Sequence, residues 1–153
     1  MNTEIKALNT ALNQYYKKTD ELYHAYASHC GLSDTAFWVL YTLYEADVCY
    51  TQNQLAELWC YPKQTVNFAI SRLIKSGYIR LEPLPARNSK AVRLTMEGQQ
   101  FCQDIILPMF EAEHQSLSRL TETERTMLIT ILEKQYGFFH EEIQTLLQEE
   151  NHD

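Results

Sequence analysis

Apolar residues recur at helical spacing over six stretches of the chain, and two further short stretches read as strands, with the scarce glycines and prolines at the joins. From about Asn2 to His29 the apolar positions Ile5, Leu8, Leu12, Tyr15, Tyr16, Leu22, Tyr23 and Tyr26 predict a long first helix that stops at Gly31. Ser33 is placed to cap a second helix, with an expected buried stripe of Ala36, Phe37, Leu40, Leu43 and Tyr44. The run TQNQ from Thr51 has the form of a capping box and opens a short helix carrying Leu55 and Leu58. Pro62 suits the first helical position of the next helix, which turns Val66, Ala69, Ile70, Leu73 and Ile74 inward and ends at Gly77. Two helices joined by a tight turn outline a helix-turn-helix.

Beyond Gly77, YIRLEP and KAVRLT read as two strands of a hairpin around the tip LPARNS, so that a wing follows the helix-turn-helix. Helical spacing returns from Thr95 to about Leu120 through Phe101, Ile105, Met109, Phe110 and Leu117, with Pro108 inside it as an expected kink. TETE from Thr121 is a second capping box, opening a last helix striped with Leu128, Ile131, Leu132, Phe139, Ile143 and Leu146, before a C-terminal QEENHD expected to fray. The fold class expected is therefore mainly α, a winged helix-turn-helix over 32–95 with a small β-hairpin wing. Flanking helices over 1–31 and 96–148 carry apolar stripes that need a partner, and a symmetric homodimer is the economical one.

Charge sharpens this picture. The 153 residues carry a net charge of −7, yet between Tyr61 and Arg93 the basic residues Lys63, Arg72, Lys75, Arg80, Arg87, Lys90 and Arg93 face one acid, Glu82. A local field acts on its neighbours whatever the net charge, so this segment marks a surface for a polyanion. In a helix-turn-helix the second helix enters the major groove with its N-terminal residues at the base edges, here Lys63, Gln64, Thr65 and Asn67. Gln and Asn grip adenine, the Thr methyl meets the thymine methyl, and Lys bonds guanine or phosphate. Phe68 is an odd neighbour, placed either against the preceding helix or against a thymine methyl. Arg87 and Lys90 flank the hairpin tip and suit a minor groove, while Arg72, Lys75, Arg80 and Arg93 suit phosphates or solvated faces.

The N-terminal segment has no signal-peptide core and no apolar run is long enough to cross a bilayer, so a cytoplasmic protein without a membrane partner is expected. Cys30, Cys49, Cys60 and Cys102 show no CxxC spacing, and the last three read as small buried hydrophobes. His24 and His29 are five residues apart and do not share a helix face, so no metal is expected, and no cofactor motif occurs. Phosphate-loop, HExxH and GxSxG signatures are likewise missing, which argues against an enzyme.

The segments GLSDTAFWVLYTLYEA, PKQTVNFAISRLIKSGYI and VRLTMEG resemble the MarR family of bacterial transcriptional regulators, and with the flanking helices the resemblance covers nearly the whole chain. It implies a homodimer joined through its terminal helices, with one winged helix per subunit on a double-stranded pseudo-palindromic operator. It further implies repression relieved by a small ligand or by oxidation. Where family wings carry acids around the arginine, this chain has Pro85, Ala86, Arg87, Asn88, Ser89 and Lys90, keeping both bases and neither acid. Tyr15, Tyr23, Tyr26, Tyr41 and Tyr44, with Tyr16, fall where family members bind small aromatic ligands, or else pack the core and interface. Some relatives sense zinc or peroxide; the peroxide-sensing cysteine lies near the start of the first helix, where this chain has none. A helical adaptor that keeps the winged helix without reading DNA is the alternative of another class.

Overall fold

A computed structural model describes residues 2–85 and 89–149. In order, the elements are α1 (Thr3–His29), α2 (Asp34–Glu45), β1 (Tyr50–Thr51), α3 (Gln52–Leu58), α4 (Lys63–Lys75), β2 (Ile79–Pro83), β3 (Lys90–Leu94), α5 (Met96–Ser118) and α6 (Glu122–Glu149). The expected mainly helical winged helix-turn-helix is the fold observed. The described residues fall into two units, one running to Pro108 and the other beginning at Met109.

The helix starts obey the capping chemistry of the sequence. Asn2 accepts from the Glu4 amide, Ser33 from Ala36, and Thr51 and Gln54 form a reciprocal capping box. Three helices end alike, with the sixth residue's amide returning to the first carbonyl and the fifth's to the second. After α1 these bonds run from Leu32 to Ala27 and from Gly31 to Ser28; after α4, from Tyr78 to Leu73 and from Gly77 to Ile74. After α3 they run from Tyr61 to Ala56 and from Cys60 to Glu57. The residue at the left-handed position is Gly31 (φ 74°) and Gly77 (φ 79°) in the first two cases, but Cys60 (φ 53°) in the third. A side chain there meets the following carbonyl, so the turn of the helix-turn-helix holds a strained residue.

The core of the first unit gathers Phe37, Val39 and Leu40 of α2, Leu55 of α3, Val66 and Ile70 of α4, Ile79 and Val92 of the hairpin, and Cys102 and Ile106 of α5, each at most 2% exposed. The hairpin register pairs Ile79 with Leu94 and Pro83 with Lys90. β1, which the sequence reading did not foresee, adds a third antiparallel strand through Tyr50 opposite Val92, giving the order β1-β3-β2. Pro83 lies on the edge strand, where its missing donor costs no ladder bond. Thr95 joins wing to α5: its hydroxyl donates to the Gly77 carbonyl at 2.5 Å and accepts from the Gly98 amide at 3.0 Å. Gly98 approaches the backbone just before β2 so closely that a Cβ would lie 1.8 Å from the Tyr78 carbonyl oxygen.

Several expectations need correction. Pro62 is the N-cap of α4, with ψ 136°, rather than its first helical residue; its carbonyl receives the first helical bonds while its backbone is still extended. α2 packs against α1, α4 and β3, so Thr35, Val39 and Thr42 are buried while Leu43 and Tyr44 are half-exposed. Leu58 and Ile74 sit at helix ends and are 49% and 39% exposed. Cys49, in the loop before β1, and Cys60, in its outward turn, are exposed rather than buried. Of the C-terminal QEENHD, Gln148 and Glu149 continue α6, and the rest lies outside the described residues.

The second unit contains the end of α5 and all of α6. Thr121 and Glu124 form the expected capping box, the Glu124 amide donating to the Thr121 hydroxyl at 3.2 Å and the Thr121 amide to the Glu124 carboxylate at 2.7 Å. Donation from the Thr121 amide and from its hydroxyl holds the Glu124 carboxyl below the usual carboxylate range. The Arg125 guanidinium closes the joint by donating to the Leu117 and Leu120 carbonyls. The α6 stripe stays open: Leu128, Ile131, Phe139 and Leu146 are all exposed.

Gly98→Ala should destabilise the fold by ~3 kcal/mol or prevent folding, because the new methyl collides with backbone that cannot step aside. Cys60→Gly should stabilise it by about 1 kcal/mol by relieving the left-handed strain. Chemical denaturation of the two variants checks both, and a destabilising Cys60→Gly would contradict the strain argument.

Candidate nucleic-acid interface

α4 is divided cleanly by the helical period. Val66, Ala69, Ile70 and Leu73 are buried against α2 and α3. Lys63, Gln64, Thr65, Asn67, Phe68, Arg72 and Lys75 are exposed on the remaining circumference. Phe68 is 66% exposed, and the Arg72 guanidinium lies 5.9 Å from its ring centroid, a cation–π contact on the surface. The Ser71 hydroxyl donates to the Asn67 backbone carbonyl at 2.8 Å, within the helix, and Asn67 is exposed.

The aim of this face is set by the turn before it. Trp59, which ends α3, stacks on Trp38 of α2 at 4.2 Å between ring centroids. Its indole Nε1–H donates to the Thr42 hydroxyl at 2.7 Å, and that hydroxyl donates in turn to the Trp38 carbonyl at 2.8 Å. No pattern in the sequence marked Trp59, since one aromatic beside a turn has no period to betray it.

The hairpin distributes its charge differently from what the sequence suggested. Arg80 and Arg93 stand directly opposite each other on β2 and β3, a repulsive pairing by itself. Glu82, two residues along the same face, bridges them. Arg80 donates to it through Nε at 3.0 Å and Nη2 at 2.5 Å, and Arg93 Nε lies 3.3 Å from its other oxygen. The hydrogen bonds from Arg80, with the charges of both guanidiniums, hold the Glu82 carboxyl below its usual range. Arg80 and Arg93 are thus engaged within the stem. Lys90 is exposed at the start of β3, and Arg87 lies outside the described residues.

The tyrosines expected around a ligand do not converge. Tyr15 is 67% exposed with the Lys18 ammonium over its ring, and Tyr16 is also exposed. Tyr26 donates its hydroxyl to the Ile105 carbonyl at 2.8 Å; burial is the main cause of its phenol's upward shift. Tyr41 lines a cleft of about 400 Å³ with Trp59 and Val48, Tyr23 a separate one of about 230 Å³ between α1 and α2, and Tyr44 is half-buried. Sequence reasoning missed the polar groups of the smaller cleft, where His24 Nδ1 lies 2.9 Å from Asp34 Oδ1 rather than joining His29 and Cys30. Burial pushes the Cys102 thiol up to about 12. Among the described residues no cluster of three His, Cys, Asp or Glu side chains could hold a metal ion, and no helix is long and apolar enough to cross a membrane.

Residues 31–87 match the model of the MarR family. Over that segment, which spans the helix-turn-helix and the first strand of the wing, the chain is similar to the MarR family. Among solved structures it is similar to NMB1585, a MarR family regulator from Neisseria meningitidis, at 23% identity and TM-score 0.75 over 94% of this chain and 98% of that one. It is similar also to Sco3205, a MarR family transcriptional regulator from Streptomyces coelicolor in complex with DNA (19% identity, TM-score 0.74, 86% of each chain). A third is NadR in complex with 4-hydroxyphenylacetate (18%, TM-score 0.68, 83% of this chain and 90% of that one). No curated protein sequence matches. At these identities the structural likenesses carry the MarR fold, and the exposed residues of α4 are this chain's own.

Trp59→Phe should keep the stack on Trp38 and lose the bond to Thr42, costing about 0.5–1.5 kcal/mol. Equilibrium denaturation measures this; an unchanged stability would show that the indole bond does not hold the turn.

Proposed function

We propose that the chain is a sequence-specific, double-stranded DNA-binding transcriptional regulator, a repressor released by a small ligand. The observation that carries this reading is the division of α4. Its apolar half is buried, while Lys63, Gln64, Thr65 and Asn67 stand exposed on its first two turns with hydrogen-bonding groups suited to base edges. Arg72, Lys75 and Lys90, with Arg87, supply phosphate contacts that fix the register. The complex of Sco3205 with DNA supports the reading for a related fold, and that of NadR with 4-hydroxyphenylacetate supports release by a small molecule.

The working unit in this proposal is a homodimer joined through the helices that flank 32–95. Ile5, Leu8 and Leu22 of α1 are at least 60% exposed, and the α6 stripe is open as well. Two amphipathic helices with uncovered apolar faces favour burial against a second copy, which duplicates the reading head on a two-fold axis.

Selection from a random duplex library tests this. The expected outcome is an inverted repeat with half-sites about 10 base pairs apart, bound by a dimer. Gln64→Ala should relax the preference at one position of each half-site, a loss of ~1–3 kcal/mol in discrimination, and leave the others unchanged. Combined replacement of Lys75 and Lys90 should weaken binding to all sequences alike and flatten its salt dependence. A library that emerges without enrichment would contradict the proposal and favour an adaptor that retains the winged helix.

A further inference from the structure

The cleft between α1 and α2 combines aromatic walls with carboxylates. It encloses about 230 Å³ and is lined by Asp20, Tyr23 and His24 of α1, Asp34 and Trp38 of α2, and Tyr61 from the turn before α4. With Phe37 of α2, four aromatic side chains and two carboxylates line it, and none of the described lining residues is Lys or Arg. His24 Nδ1 reaches both oxygens of Asp34, at 2.9 and 3.1 Å, so the imidazole orients that carboxylate. Lys17 approaches Asp20 only at 3.8 Å, and its side chain is 86% exposed, a pair that water screens.

The electrostatics of the cleft register on Tyr61. Burial and then the Asp34 charge raise its phenol, a hydrogen bond with Thr35 opposes this, and Asp20 adds to the rise. Carboxylates on two different helices therefore act on one point inside the cleft. An anionic ligand would be repelled by both charges, whereas an ammonium would be drawn to them and would also gain from the faces of the aromatic walls.

We propose that this cleft binds a small aromatic amine, its ammonium held by Asp34 and Asp20 and its ring against Trp38 and Tyr61. The sign of charge is opposite to that of 4-hydroxyphenylacetate, the molecule bound by NadR. The site also has a physical route to α4. Tyr61 is followed by Pro62, the N-cap of α4, and Trp38 carries the stacked Trp59 that fixes the turn. A ligand that favours one position of Tyr61 and Trp38 over another shifts the aim of α4 by that preference. This last step rests on the reading of the chain as a ligand-released regulator; the binding itself does not.

The test titrates the full chain with 4-hydroxyphenethylamine and with 4-hydroxyphenylacetate, which share a ring and differ in charge, following tryptophan fluorescence and heat. The amine should bind saturably and perturb the Trp38 and Trp59 emission, and the acid should bind at least ~10-fold more weakly or not at all. Asp34→Asn, which keeps the shape and removes the charge, should weaken the amine ~10-fold, and Asp20→Asn should weaken it less. Circular dichroism establishes that each variant folds, and Asp20→Asn carries the test if Asp34→Asn does not. Equal binding of acid and amine, no saturable binding of the amine at millimolar concentration, or wild-type amine affinity in the folded variants overturns the proposal. An amine that binds without releasing a selected operator leaves the cleft assignment standing and contradicts ligand release. Intact operator binding with no amine binding does the reverse, removing the cleft assignment alone.

Discussion

The winged helix depends on how α4 is seated. Its inner face is held by burial of Val66, Ile70 and Leu73, but burial is non-directional and would tolerate some rotation or sliding of a helix this short. Direction comes from the turn. Trp59 is fixed by its stack on Trp38 and by the indole bond to Thr42, and the left-handed Cys60 reverses the chain so that Pro62 can start α4. The strain at Cys60 is tolerated because the two returning amides and the tryptophan anchor over-determine the turn around it.

The wing repeats this logic with charge. Facing arginines on adjacent strands would push the hairpin apart, and one glutamate placed two residues along the strand converts them into a stem. Basic residues of the segment 61–93 thus divide by role. Lys63, Arg72, Lys75, Arg80, Lys90 and Arg93 are all exposed, but Arg80 and Arg93 are engaged by Glu82. A count of charges along the sequence could not separate them, because the separation is made by cross-strand register.

What the sequence revealed and what it hid follow from the range of the interactions. Asn2, Ser33, Thr51 and Thr121 lie within three residues of the amides they cap, so the helix starts were legible. The outward residues of α4 were legible too, because helical period alone separates them from Val66 and Ile70. β1 was not, since two residues carry no period and exist as a strand only because Val92 lies opposite. Trp59 with Thr42 and His24 with Asp34 join residues 17 and 10 positions apart, and border two separate clefts, through contacts that no local pattern encodes. The tyrosines misled for the same reason: their abundance on α1 and α2 was visible, but the division among solvent, core and two clefts is tertiary.

The central claim is that the exposed face of α4 enters the major groove. Dimethyl sulfate protection of guanine N7, which lies in that groove, reads it directly on a duplex bound by the unmodified protein. The account predicts two clusters of protected guanines about one helical turn apart, disposed symmetrically about the centre of the site. Bound duplex with every guanine N7 still reactive, or protection confined to the minor-groove N3 of adenine, would contradict it.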